Sequence, residues 1–228
     1  MEPVFVFGKK SQLETENHAG LAMPLLEATK PRSRRRVPES LVYERWGGRT
    51  YYRRGYRDVL KGLKTEEEIM GASGLQSFIV SYIFGIIKRF MDETRYYALV
   101  SEPGLHLKKN ENVSGDILIY EKSILTPDKI TTRYVDVPPK ISIEVDVKIE
   151  LEKLRDVDYL FDKAQTYLDF GTETVFWVLS GVRKVFIFKQ GREAVIQDWS
   201  TDLHLLDNVT VNIGAYLAAE GVTLTKES

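Results

Sequence analysis

The stretch "KISIEVDVKIE", Lys140 to Glu150, decides how the chain is read. Side chains alternate across a strand, so Ile141, Ile143, Val145, Val147 and Ile149 share one face, while Ser142, Glu144, Asp146, Lys148 and Glu150 share the other. The apolar face belongs on a core. The polar face presents Glu144, Asp146 and Lys148 at alternate positions, within about 13 Å at ~3.3 Å per residue. Two carboxylates can hold a hard cation such as Mg²⁺, and a nearby lysine can orient or deprotonate a water and neutralise charge on a phosphate. A strand with one face in water shows the same alternation, and the spacing alone leaves both readings open.

Outward from this strand the chain alternates between strand and helix signals. Pro138 and Pro139 introduce it. After it, "DVDYLFDKAQTYLDFG" reads as a helix from about Asp156 that stops at Gly171, a natural C-cap. The apolar segments "TVFWVLS" and "KVFIFKQ", joined across "SGVR", form a strand pair, and "NVTVNIGAYLAAEG" closes the chain as a strand or short helix. Upstream, "TRYYALV", "LHLKK" and "DILIYEK" read as strands separated by the turn-rich "SEPG" and "KNENVSG". Leu75, Phe78, Ile79, Tyr82, Ile83, Ile86, Ile87, Phe90 and Met91 recur at helical spacing and predict a long helix with a core-facing stripe. "TEEEIM" predicts a short helix capped by Thr65, and "VYERWGGRTYY" a turn at Gly47 and Gly48 between two short elements. Strands interleaved with helices imply a mixed α/β sheet flanked by helices.

The 228 residues suffice for one substantial core. We expect residues 1–38, ending in the Arg-rich "KPRSRRRVPES", to form a flexible basic extension, and residues 39–228 a single domain. Without cysteine, the chain can have no disulfide framework, thiolate zinc site or cysteine nucleophile, and it suits a reducing cytoplasm. The longest apolar run, "FIVSYIFGII", is too short to span a bilayer, and the opening residues lack a secretion signal pattern. His18, His106 and His204 lack metal-ligand spacing, "GASG" is not a nucleophile elbow, and no Gly-rich nucleotide loop is present. Charge is unevenly distributed: Lys30 to Lys64 holds twelve Lys or Arg against three acids, a local +9 within a chain of −1. Such a cluster suits a phosphate backbone, with Arg49, Arg53, Arg54 and Arg57 as candidate contacts, and it equally suits a solvated linker.

The order of these features resembles the Uma-type ("Uma-two") nuclease family of the restriction-endonuclease-like PD-(D/E)XK superfamily, over roughly Leu41 to Gln190. "VYERWGG" is similar to that family's Tyr-Glu-x-x-(Asp/Gly)-Gly motif, and "GASGLQSFIV" stands where its first long helix begins. The resemblance implies a restriction-endonuclease-like α/β core and Mg²⁺- or Mn²⁺-dependent hydrolysis of DNA by a cytoplasmic endonuclease, acting as a single chain or a homodimer. It implies that Asp116 and Glu144 bind the metal, with Asp146 an additional ligand. It also implies a catalytic lysine at Lys163, four residues before Tyr167, in competition with Lys148 on the strand, and it makes Glu44 a completing ligand or an orienter of Lys163. Where family members carry Pro-Asp, this chain has Ser114-Gly115-Asp116. Each assignment has a plainer rival: Asp116 as a strand cap, Lys163 as a solvated helix residue, Glu44 as a surface acid, and Gln165 simply exposed. The alternative function is a nuclease fold that binds nucleic acid or a protein partner without cutting.

Overall fold

The computed structural model describes residues 36–146 and 154–224. Lys148 and nearly all of the expected N-terminal extension lie outside them. In chain order the elements are β1 (Val42–Trp46), β2 (Arg49–Tyr52), α1 (Tyr56–Leu60), α2 (Gly74–Phe90), β3 (Tyr96–Val100), β4 (Gly104–Lys108), β5 (Glu111–Ser114), β6 (Ile117–Glu121), β7 (Ile141–Asp146), α3 (Leu154–Phe170), β8 (Thr174–Leu179), β9 (Lys184–Lys189), β10 (Val195–Asp198), β11 (Leu203–Leu206), β12 (Val209–Val211) and α4 (Ile213–Ala219).

The central sheet is mixed, in the order β10-β9-β8-β7-β6-β3. β7 and β8 run parallel, because α3 carries the chain back between them, and every other pairing is antiparallel. Parallel neighbours require such a crossover. A second sheet, β2-β1-β5-β4, is antiparallel. The chain passes from one sheet to the other at Gly115 and Asp116, between the end of β5 and the start of β6.

Two apolar cores flank the central sheet. On one side, Ile79, Ile83 and Ile87 of α2 pack with Ile141, Ile143 and Val145 of β7 and with β11, β12 and α4. On the other, Leu160, Ala164, Tyr167 and Leu168 of α3 pack with Leu118, Tyr120, Val175 and Trp177 and with Trp46, Leu105 and Val113 of the second sheet. The polar face of β7 points to this second side. It is therefore covered by α3 rather than by water: Ser142 and Glu144 are buried.

Local chemistry accounts for the boundaries. Gly47 and Gly48 both have positive φ, as a two-residue hairpin requires, and Trp46 pairs with Arg49 across them. Ser73 caps α2 by accepting from Gln76 N, and Gly171, at φ 115°, ends α3. Thr65 and Glu68 form a reciprocal capping pair before a 3₁₀ turn at Glu67–Ile69. Three expectations need correction, and two strands have no sequence signal. "KNENVSG" is not only a turn, since Asn110 takes positive φ and β5 starts immediately after it, returning along β4. β10 and β11, both very short, carry no periodicity long enough to read. The closing segment is a strand followed by a helix, not one of the two. Phe90, at the last turn of α2, is exposed and does not continue the core stripe.

Candidate active site

Four elements converge where the two sheets meet. β7 supplies Glu144, the β5–β6 junction supplies Ser114 and Asp116, β1 supplies Glu44, and α3 supplies Tyr159, Lys163 and Tyr167. Lys163 and Tyr167, four residues apart, lie on one face of α3 and reach the sheet together.

Lys163 is 1% exposed. Its Nζ stands 3.0 Å from Glu44 Oε1 and 3.2 Å from Glu144 Oε1. Four rings surround it, with the Tyr43, Tyr159 and Tyr167 centroids 5.8 Å away and that of Trp177 5.7 Å away. Burial alone would drive its pKa down, but the contacts with Glu144 and Glu44 outweigh that and hold the ammonium well above its ordinary value. Lys163 is thus a fixed cation, neither a solvated helix lysine nor a group ready to give up its proton.

Glu44 is buried and fully engaged. Its Oε1 accepts from Ser114 N at 3.0 Å and Ser114 Oγ at 3.3 Å besides Lys163, and its Oε2 accepts from Tyr159 Oη at 2.9 Å and Trp46 Nε1 at 3.1 Å. Glu144 is poorer in donors. The Tyr167 hydroxyl lies 2.7 Å from both Glu144 Oε1 and the Ser114 carbonyl but has one proton to donate. The carbonyl can only accept, so a proton on Glu144 completes the arrangement. The electrostatics agree: burial, with Asp116 and Glu44 adding to it against the opposing pull of Lys163, raises Glu144 to about 8.

Asp116 Oδ2 accepts from Val145 N at 2.7 Å, joining the sheet seam to β7 beside Glu144. Burial lifts its pKa to about 6 against the opposing effect of that bond. Gly115 makes this approach possible. A Cβ there would lie 2.7 Å from Leu118 Cδ2, 3.1 Å from Tyr167 Oη and 3.4 Å from Glu144 Oε1. Asp146 sits at the end of β7 with Oδ2 accepting from Trp177 Nε1 at 2.8 Å, and burial raises its pKa. Gln165 is exposed and donates to Asp169.

Among the described residues, no group of three His, Cys, Asp or Glu side chains forms a ready metal cage. Asp116 and Glu144 fit Mg²⁺ or Mn²⁺ in another way. They are hard oxygen donors, Asp116 close enough to add to the proton affinity of Glu144, and Mg²⁺ commonly takes one or two carboxylates and fills its octahedron with water and substrate. Glu44, with both oxygens occupied, has no capacity to spare.

The candidate phosphate contacts are dispersed around this centre. Arg49 is paired with Asp162 of α3 at 3.0 Å, Arg57 lies over the Tyr56 ring, and Arg53 lies 5.9 Å over the Tyr43 ring. Arg54 is near enough to Asp146 to stabilise its charged form. Tyr43, Tyr159 and Trp177, whose rings surround Lys163, have no sequence signal beyond being aromatic; their roles come from standing against one buried cation.

A family model described as "Putative restriction endonuclease", named Uma2, matches residues 65–216. Glu44 and the β1–β2 hairpin lie upstream of that match, although they complete the pocket. A solved structure titled as a "putative nuclease belonging to DUF820", from Anabaena variabilis, has a similar fold, with a TM-score of 0.54 and 13% identity over 76% of this chain and 88% of that one. No curated protein matches the chain. No helix among the described residues is long and apolar enough to cross a membrane. With two thirds of its length matched by the family model, the chain belongs to the Uma2 family.

Proposed function

We propose that this protein is a divalent-metal-dependent endodeoxyribonuclease whose active site is the pocket of Asp116, Glu144 and Lys163. The observation that carries the reading is the burial of one lysine between two glutamates, directly beside a third carboxylate that is not paired with it. Structural ion pairs do not need the third acid. Asp116 and Glu144 would hold Mg²⁺ or Mn²⁺, which supplies Lewis-acid polarisation of the phosphodiester and a nucleophilic water at neutral pH. Lys163, a permanent cation, offsets negative charge that develops on the phosphate. Glu44 positions Lys163, Tyr167 orients Glu144, and Asp146 flanks the pair. Arg49, Arg53, Arg54 and Arg57 contact backbone phosphates. Action on DNA inside a reducing cytoplasm accords with the cysteine-free sequence.

Purified protein should nick or cut plasmid DNA with Mg²⁺ or Mn²⁺, and Asp116→Ala that still folds should not. Metal-independent cleavage, or full activity in Asp116→Ala, would refute the mechanism. Lys163→Met and Lys148→Ala, made separately, identify the lysine whose loss stops cleavage while metal binding persists. A second reading, a module that binds DNA without cutting, is favoured by the enclosure of the Lys163 ammonium by four rings. Salt-sensitive DNA binding without cleavage or calorimetric Mg²⁺ binding would select it.

A further inference from the structure

At 1% exposed, Lys163 cannot touch a substrate phosphate in this closed arrangement, and Glu144 beside it is 5% exposed. Something must move. Of the four rings around the ammonium, three are hydrogen-bonded to carboxyl groups: Tyr159 Oη to Glu44 at 2.9 Å, Tyr167 Oη to Glu144 at 2.7 Å and Trp177 Nε1 to Asp146 at 2.8 Å. Tyr43 is the exception. It makes no such bond among the described residues, and at 39% it is the one exposed ring of the four.

A β-bulge puts it there. Val42 pairs with Tyr52 and Glu44 with Tyr51, so Tyr43 is an extra residue of β1 with no partner on β2. Strict alternation would send Tyr43 and Glu44 to opposite faces, whereas the bulge lets both stand against Lys163, with Glu44 Oε1 at 3.0 Å and the Tyr43 ring centroid at 5.8 Å. A second cation lies at the same ring: the Arg53 guanidinium, 5.9 Å from its centroid. Arg53 has no ion pair among the described residues, and its Nε, shut off from solvent, finds no acceptor among them. An N–H buried without an acceptor is costly, and a phosphate oxygen would satisfy it.

We propose that Tyr43 is a gate over Lys163, and that a backbone phosphate of the substrate opens it by drawing Arg53 off the ring. The identity of the substrate rests on the nuclease reading; the gate itself does not. With the guanidinium turned to a phosphate, the ring loses the attraction of one of its two cations and swings about its Cα–Cβ bond toward solvent. The scissile phosphate then takes the ring's place against Lys163.

The gate is tested without metal or DNA by acrylamide quenching of tryptophan fluorescence, because Trp177, with its ring centroid 5.7 Å from Lys163 Nζ, is shielded while the gate is closed. Tyr43→Ala should raise the quenching constant about 1.5-fold, one of three tryptophans becoming accessible, with an unchanged circular dichroism spectrum. Tyr43→Phe, which keeps the ring, should restore the wild-type value; Tyr43→Val replaces the alanine variant if that one misfolds. Hydrolysis gives the second readout. Bis(p-nitrophenyl) phosphate has a single phosphate and cannot both hold Arg53 and occupy the centre, so with Mn²⁺ Tyr43→Ala should raise its kcat/KM at least about fivefold, where general damage to the fold would lower it. Arg53→Met should slow plasmid cutting at least about fivefold in wild type and less than about twofold in Tyr43→Ala, since the gate it opens is then gone. Unchanged quenching in Tyr43→Ala, equal quenching in Tyr43→Ala and Tyr43→Phe, or a small-diester rate that falls in Tyr43→Ala overturns the gate. Equal losses from Arg53→Met in both backgrounds overturn its opening by phosphate. If quenching responds as expected and no variant hydrolyses either substrate, the gate stands and the nuclease reading falls.

Discussion

Lys163→Met tests the central electrostatic argument through stability alone. Methionine retains the length and apolar stem of lysine but removes the ammonium from between Glu44 and Glu144, which lie 3.0 and 3.2 Å away. Glu44 keeps its four neutral donors, but the pocket has lost the one cation that, among the described residues, pairs with either glutamate. The cheapest response is for the pocket to take up one more proton than wild type. A glutamate in the unfolded chain ionises near pH ~4.3, so holding that proton costs 1.36 kcal/mol per pH unit above it, about 4 kcal/mol at pH 7 and about 1 kcal/mol at pH 5. The first figure agrees with the ~3–5 kcal/mol typical of breaking a buried pair. The sign follows from proton counting: the mutant's native state binds more protons than its unfolded state, so stability is lost as pH rises. For a domain of this size the melting temperature should fall by about 8–16 °C at pH 7 and by about 2–4 °C at pH 5. Urea titrations followed by tryptophan fluorescence suit the measurement, since Trp46 and Trp177 both border the pocket and are buried. A defect below about 1 kcal/mol at pH 7, or one equal at both pH values, would refute the reasoning.

Further predictions concern the neighbouring groups. On the proposed assignment, Mg²⁺ displaces protons from Glu144, raised to about 8, and Asp116, raised to about 6. Calorimetric affinity should therefore rise roughly tenfold per pH unit between these values and more steeply below them, with proton release visible as a dependence on buffer ionisation heat; a flat profile would contradict the assignment. Gly115→Ala should destabilise by about 1–3 kcal/mol, since the new Cβ meets Leu118 and Tyr167, and an unchanged urea midpoint would show that the seam is looser than described. Tyr167→Phe removes the hydroxyl that links Glu144 to the Ser114 carbonyl, and should cost about 1–3 kcal/mol by leaving buried polar groups unmet.

The sequence by itself determined most of the secondary structure, because helix and strand periods are local. The alternation in Ile141–Asp146, the stripe through Ile79, Ile83 and Ile87, and the glycines at 47, 48 and 171 each act within one or two turns of their own position. Elements of three or four residues, such as β5 and β10, are too short to declare a period, and pairing partners distant in the chain decide them. The site was legible only as a set of candidates. An alternating polar face reads identically whether water or a helix covers it, and covering Glu144 with α3 is a tertiary event. What then separates Lys163 and Glu44 from other exposed-looking charges is that each removes the other's cost of burial across more than a hundred residues of chain. Charge compensation at that distance leaves no pattern along the sequence, because it depends on where two sheets and a helix meet, and only the folded chain brings them together.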